Sequence, residues 1–304
     1  MSANLPGQAF PLHATLAGME SPSVSDLAAR RADFRRLHQS GCFVIPNPWD
    51  IGTARYLRHL GFRALATTSA GFAFSYGLPD DGSAIPRDLV LSHIAEIVRA
   101  TDLPVNADFQ SGYADEPENV AANVTLCIQT GVAGLSIEDS TGDRRKPLFD
   151  LPAALERIKA ARKAVDESNT GVLLVARAEC YLVGHADPLR ESIRRLQAYA
   201  EAGADVLYAP GPQQPRDIQE IVKAAGSKPV NVLMGANTGM TVPQLADLGV
   251  RRISVGSSLA RAAWTAFARA AKLIAKEGSF AGFDDLIPFA ELNGFFRDDL
   301  KEHK

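Results

Sequence analysis

The feature that most constrains this chain is an eightfold alternation of short apolar, β-rich runs with amphipathic segments. The runs fall at residues 42–46, 64–68, 104–108, 134–138, 172–177, 205–209, 229–234 and 252–256. Between them, helical periodicity predicts helices over 51–60, 88–100, 117–130, 151–167, 189–202, 217–225 and 242–248, with one over 259–276 after the last run and one over 26–40 before the first. Strands covered on both faces read as nearly continuous apolar runs, as these do. Eight such strands, each followed by a helix, imply an α/β fold: a (β/α)8 TIM-type barrel with an extra N-terminal helix. Punctuation agrees, since Gly41, Gly61, Gly131, Gly203 and Gly249 fall just past helix ends while Asp88, Asp150 and Thr241 stand at or near helix starts.

With 304 residues, 46% of them hydrophobic and 22% charged, the chain suits one large core rather than two compulsory domains. The expected division is a loosely held leader over 1–24, the barrel over 25–278 and a C-terminal helical arm over 279–304. The arm is rich in Phe280, Phe283, Leu286, Ile287, Phe289, Phe295 and Phe296, which need a cover. A formal net charge of -3 leaves no basic excess for a phosphate backbone, so nucleic acid is not an expected partner and a small molecule is. Cys42, Cys127 and Cys180 are too scattered for a disulfide framework or a structural zinc site, and no stretch stays apolar long enough for a membrane span. A soluble cytoplasmic protein is the expectation.

In a parallel barrel the carboxyl ends of all strands open on one face, where the connecting loops build the site. Asp108 and Glu138 each close a predicted strand there, so their carboxylates converge where a hard divalent cation can sit on oxygen ligands. Two long connections, 69–87 and 139–150, overhang the same mouth. The first contains Asp80, within a Pro-Asp-Asp-Gly tract that is either a plain turn or part of the site. Arg177 ends the fifth strand; its fork either captures a substrate carboxylate or phosphonate or closes an ion pair with Glu179 or Glu138. Thr68, Ser69 and Ala70 form a small-residue turn whose backbone N–H groups can approach an anionic oxygen, and Gly256-Ser257-Ser258 could do the same. Asp50 reads as the cap of the next helix, and Asn47 as a cap or a substrate contact. Lys228, at the entry of the seventh run, is the one lysine near a predicted strand, which argues against a Schiff-base aldolase; the histidines support no triad or His-metal cluster. Oxygen ligation of Mg2+, with Mn2+ as the alternative, remains.

The segments Asn47-Pro48-Trp49-Asp50, Ala66-Thr67-Thr68-Ser69-Ala70-Gly71, Asn106-Ala107-Asp108-Phe109-Gln110-Ser111-Gly112-Tyr113, Ser136-Ile137-Glu138-Asp139, Ala176-Arg177-Ala178-Glu179 and Arg252-Ile253-Ser254-Val255-Gly256 resemble the isocitrate lyase and phosphoenolpyruvate mutase family over residues 43–276. The resemblance implies a Mg2+ site at Asp80, Asp108, Gln110 and Glu138, with Gln110 neutral where relatives carry an acid. It implies that Arg177 steadies an enolate or carboxylate and that Thr68, Ser69 and Ala70 hold the oxyanion. The lid over Ser140-Thr141-Gly142-Asp143-Arg144-Arg145-Lys146-Pro147 has neither the Lys-Lys-Cys-Gly-His signature of isocitrate lyases nor the Lys and Asn-Ser of phosphonate mutases. The acid/base role then falls to Lys146 or Glu179. The leading expectation is a Mg2+-dependent lyase that breaks a C–C bond of a 2-hydroxy or 2-oxo dicarboxylate through a pyruvate-like enolate. The alternatives are phosphonopyruvate mutase or hydrolase chemistry at a P–C bond, and a non-catalytic oxoacid-binding barrel. The resemblance also implies a homo-oligomer, dimer or tetramer, whose C-terminal arms are exchanged between subunits.

Overall fold

A computed structural model describes residues 21–81 and 84–302, so the expected leader falls almost wholly outside the described residues. Helix α1 (Val24–Gln39) opens on a reciprocal cap, in which the Ser23 side chain accepts from the Asp26 backbone and Asp26 answers. The βα units follow: β1 (Phe43–Ile45), α2 (Ile51–His59), β2 (Leu65–Ala66), α3 (Ser69–Ser75), α4 (Arg87–Ala100), β3 (Val105–Asp108), α5 (Pro117–Gln129), β4 (Gly134–Glu138), α6 (Leu151–Ser168), β5 (Leu173–Arg177), α7 (Pro188–Glu201), β6 (Val206–Tyr208), α8 (Pro215–Ala224), β7 (Val230–Leu233), α9 (Val242–Asp247), β8 (Arg252–Ser254) and α10 (Ser258–Glu277). The strands are parallel in the order β1-β8-β7-β6-β5-β4-β3-β2. Among the described residues no ladder joins β1 to β2. The ring closes there through the Ala66 N–H donating to the Pro46 carbonyl at 3.0 Å and the Asn47 amide donating to the Thr67 carbonyl at 2.9 Å. The fold is the expected (β/α)8 barrel.

Two differences have local causes. Several strands stop short of the predicted runs at Pro46, Pro104 and Pro229, which have no N–H to give a ladder. The connection expected to be open from Ser69 contains the helix α3. Thr68 caps it by accepting from the Gly71 N–H at 3.2 Å, and Phe72 and Ala73 bury its inner side. Gly71 is needed for this corner, because a Cβ there would meet Thr68 Cγ2 at 2.6 Å and Trp49 Cβ at 3.0 Å.

The period-two pleat sorts strand residues into two cores. Leu65, Val105, Ala107, Leu135, Ile137, Leu174, Ala176, Leu207 and Ile253 face outward under the helices. Phe43, Ile45, Ala66, Leu173, Val175 and Val206 face inward, where Phe34 and Leu37 of α1 join them and close the amino end of the barrel. Phe34 is fully buried, so truncation to alanine would cost about 3–5 kcal/mol. The lower barrel is thus a packed floor, and space is left only toward the carboxyl end.

Packing divides the chain after Asp285: Pro22–Asp285 is one unit, and the helix α11 (Phe289–Glu302) belongs to another. No helix among the described residues is long and apolar enough to cross a membrane.

Candidate active site

The register places the key side chains before any packing is considered. Asp108 is level with Ser136, Glu138 with Arg177, and Arg177 with Tyr208, so the last inward positions of β3 to β6 share one rim. Arg177 Nη1 lies 3.2 Å from Asp108 Oδ1 and 3.3 Å from Glu138 Oε2, its Nε donates to Glu179, and its guanidinium lies 5.2 Å from the Tyr208 ring centroid. Both alternatives for an internal partner, Glu138 and Glu179, are therefore realised at once, with Asp108 as a third. Burial by itself would lower the Arg177 pKa, but Glu179 and Glu138 outweigh it and hold the guanidinium charged. One cation cannot neutralise three carboxylates. Burial pushes the Glu138 and Glu179 carboxyls up, Arg177 opposes this, and the neighbouring acids add to it.

A second group gathers on the α3 corner. The Ser69 backbone N–H donates to Asp108 Oδ2 at 3.0 Å, and the Ser69 hydroxyl lies 3.1 Å from the same oxygen and 3.3 Å from Asp80 Oδ2. A hydroxyl has one proton, so it serves only one of these carboxylates at a time. Asp80 belongs to an exposed loop but turns its carboxyl inward; desolvation there and the Asp108 charge push its pKa up. Gln110, in a left-handed backbone conformation at φ 46, donates its amide to Asp80 Oδ1 at 3.0 Å. The structure thus brings Asp80, Asp108, Gln110, Ser69, Arg177, Glu138 and Glu179 into one continuous network.

Beside this rim lies a cavity of about 200 Å3 bordered by Asn47, Thr68, Ser69, Ala70, Asp80, Asp108 and Arg177. Asn47 borders it, yet its amide is engaged with backbone: Oδ1 accepts from the Val255 and Gly256 N–H groups, tying β1 to the turn after β8. Asp50 caps α2 through the Thr53 N–H at 2.7 Å. Glu179 sits behind Arg177 and does not border the cavity. Lys146 is placed apart from the group, its ammonium exposed and 3.9 Å from Asp150. Cys180 offers no substitute acid/base, because burial raises its thiol to about 11.

Among the described residues no group of three or more His, Cys, Asp and Glu is arranged to hold a metal. Glu138 and Asp108 Oδ1 both face Arg177, and the carboxylates that border the cavity are Asp80 and Asp108, whose Oδ2 atoms converge on the Ser69 hydroxyl. That set fits Mg2+, which keeps several of its waters and needs only one or two direct carboxylates.

Sequence reasoning missed the support behind the rim. Asp139, 3% exposed, accepts from the Glu179 N–H at 2.8 Å, the Tyr199 hydroxyl at 2.6 Å and Arg195 Nη1 at 3.0 Å. It fixes the backbone that carries Glu179, and its signal was an acid directly after a strand already ending in one. Asn106, Ser136, Asn231, Arg252 and Ser254 were also missed as a group; they are buried polar side chains inside the barrel. The signal available was polarity at alternate positions of otherwise apolar strands.

A parallel barrel with acids and a guanidinium gathered at the carboxyl ends of adjacent strands defines a barrel enzyme. A family model for phosphoenolpyruvate phosphomutase matches residues 34–275, and the chain belongs to this family of lyases and mutases, the isocitrate lyase and phosphoenolpyruvate mutase group. A crystal structure from Burkholderia cenocepacia, classed there as a lyase or mutase, is 47% identical with a TM-score of 0.85, covering 90% of this chain and 97% of that one. An uncharacterized protein of Mycobacterium tuberculosis is 34% identical over 261 residues, 85% of this chain and 94% of its own length. The 2-methylisocitrate lyase of Halalkalibacterium halodurans is 28% identical over 286 residues, 90% of this chain and 91% of that protein.

Proposed function

We propose that the protein is a Mg2+-dependent lyase that cleaves a C–C bond of a 2-hydroxy or 2-oxo dicarboxylate and releases an oxoacid such as pyruvate. The observation that carries this reading is the rim itself: Arg177 is held among three carboxylates, one of which, Asp108, also converges with Asp80 on the Ser69 hydroxyl. Mg2+ bound at Asp80 and Asp108 would supply a Lewis acid for the oxygens of an α-oxyacid. Arg177 and the Ser69 hydroxyl then orient the acid end of the substrate. In the cleavage of a 2-hydroxy acid, a base takes the 2-hydroxyl proton, C2 becomes the carbonyl of the released oxoacid, the C2–C3 bonding pair passes to C3, and C3 takes up a proton; a 2-oxo acid first adds water at C2, and the gem-diol breaks the same way to leave a carboxylic acid at C2. Glu138 and Glu179 are the titratable acids against Arg177; burial pushes both carboxyls above their usual range and Arg177 opposes it.

The test is incubation with Mg2+ and a panel of methylisocitrate-like, dimethylmalate-like and oxaloacetate-like acids, with oxoacid release followed by NMR. Product from one class supports the reading; no product while metal and oxalate bind removes it in favour of a binding-only barrel. Phosphonopyruvate in the same assay, followed by 31P NMR, tests P–C chemistry. The 25% identity over 296 residues to the chloroplastic carboxyvinyl-carboxyphosphonate phosphorylmutase of Arabidopsis thaliana favours including it. Scattered free thiols are in keeping with a cytoplasmic site of action. Exposed Trp264, Phe267, Phe280 and Phe283 motivate the homo-oligomer, for which sedimentation as a monomer would be the contrary result.

A further inference from the structure

Below the rim the cavity meets a second guanidinium. Arg252, at the start of β8, is 3% exposed and borders the cavity together with Asn106, Ser136, Tyr208 and Ser254. Its Nε donates to Asn231 Oδ1 at 2.8 Å and its Nη1 to Asn106 Oδ1 at 3.3 Å. Both acceptors are neutral amides, and no carboxylate among the described residues pairs with it. Burial draws its pKa down to about 10, which still leaves it charged at neutral pH. A buried charge without a counter-ion is costly, and partial dipoles offset only part of that cost.

Three other buried arginines, Arg31, Arg157 and Arg195, solve this problem differently. Arg31 spends its donors on the Val132 and Ile128 carbonyls. Arg157 is held by the Ala114 carbonyl at 2.7 Å and stacks on Phe149 at 4.1 Å from the ring centroid. Arg195 has Asp139 at 3.0 Å. None of the three borders the cavity, and Arg177, which does, has carboxylates around it. Arg252 combines a view of the cavity with amide oxygens for partners.

We propose that Arg252 binds the second carboxylate of a dicarboxylate substrate whose reacting end lies at Arg177 and Ser69, and so makes the enzyme specific for diacids. This rests on the oxoacid reading above and names the part of the molecule that selects its substrate. The spacing agrees. Asn106 and Asp108 are two residues apart on the inner face of β3, a separation of roughly 6–7 Å. Arg252, held at Asn106, therefore lies about one such step below the Asp108 carboxylate, a gap that three C–C bonds of about 1.5 Å each and the terminal oxygens can bridge. The cavity of about 200 Å3 is below the usual ~300–1,000 Å3 of sites for larger ligands, which suits a short diacid.

The experiment compares oxalate, which occupies the rim alone, with lactate and malate, which differ by one distal carboxylate, using calorimetry on the full chain with Mg2+. Wild type should bind malate at least tenfold more tightly than lactate. Arg252→Gln should abolish that advantage while leaving oxalate within twofold. Asn231→Asp, which gives Arg252 an internal counter-ion, should also weaken malate at least tenfold while raising the melting temperature, so the test survives a poorly folding Arg252→Gln. Oxalate binding with no malate advantage in wild type, or a malate advantage that persists in both variants, overturns the role of Arg252 and leaves the oxoacid reading standing. Parallel loss of oxalate and malate in the variants shows Arg252 to be a structural strut and overturns the role as well. Absence of binding by all three acids to wild type overturns both.

Discussion

Replacing Arg177 by methionine is the most discriminating perturbation of the rim, because its cost must depend on pH in a definite direction. The guanidinium touches Asp108, Glu138 and Glu179, whose side chains are only 18%, 16% and 6% exposed. Removing one partner of a buried ion pair costs about 3–5 kcal/mol, since the remaining charge keeps its desolvation penalty. Here three acids would be stranded. Glu138 and Glu179 already lie above their ordinary 4.5, and loss of Arg177 removes the one influence holding them down in common. In the variant the folded state therefore binds more protons than the unfolded state at every pH between 4.5 and the raised folded value. The sign follows: stability falls as pH rises through that window and is regained on acidification. Each pH unit is worth about 1.4 kcal/mol for each group that takes up a proton, so two units return roughly 2–3 kcal/mol if one carboxyl titrates. Urea denaturation of both proteins at pH 7.5 and 5.5 measures this. A penalty that is the same at both values would show that the acids are not electrostatically coupled through Arg177, and the account of the rim would be wrong. Turnover, where an assay is in hand, should drop about 100-fold or more at either pH.

Gln110→Glu adds a carboxylate beside Asp80 and should tighten Mg2+ binding roughly tenfold or more, read by metal titration; unchanged affinity would place the ion elsewhere. Asp139→Ala removes both the acceptor shared by Arg195 and Tyr199 and the one that holds the Glu179 N–H, and should cost about 3 kcal/mol in denaturant, with kcat falling more than KM because Glu179 loses its backbone tether. His93 is stacked on Phe72 at 3.8 Å, its Nε2 has no hydrogen-bond partner, and burial lowers it to about 4. The unfolded chain takes up that proton near 6.5, so acidification from pH 7.5 to 5 should destabilise wild type by about 2 kcal/mol more than His93→Leu; equal slopes in the two proteins would contradict the assignment.

What the sequence made legible followed from periodicity. Strand β4 was read with its observed bounds, and the ends of β3 and β5 at Asp108 and Arg177 were placed correctly because each acid or base stops an apolar run. The helix α3 was hidden because Ser-Ala-Gly-Phe-Ala-Phe-Ser has weak helix formers and a glycine; it exists by virtue of the Thr68 cap and the burial of Phe72, both tertiary facts. The joining of Arg177 to three acids could not be read from spacing, since Asp108 lies on a strand two removed from that of Arg177 and the contact depends on barrel curvature. Lys146 illustrates the opposite difficulty. Its position in a loop near the mouth was legible, but a flexible four-carbon stem can point anywhere, and here it turns to Asp150.

The seam between β1 and β2 has a consequence for how this ring breathes. Among the described residues, seven of the eight junctions are laced by ladders, whereas this one is fastened by the Ala66 and Asn47 bonds alone. Local opening proceeds where the fewest bonds are lost, well below the cost of global unfolding. The stave on one side of that gap is laddered to β3 and continues into Thr67, Thr68 and Ser69, so a parting of the seam carries Ser69 and Asp108 together away from Asn47 and the turn after β8. Hydrogen exchange at Ala66 should report this hinge as the fastest among the inner staves.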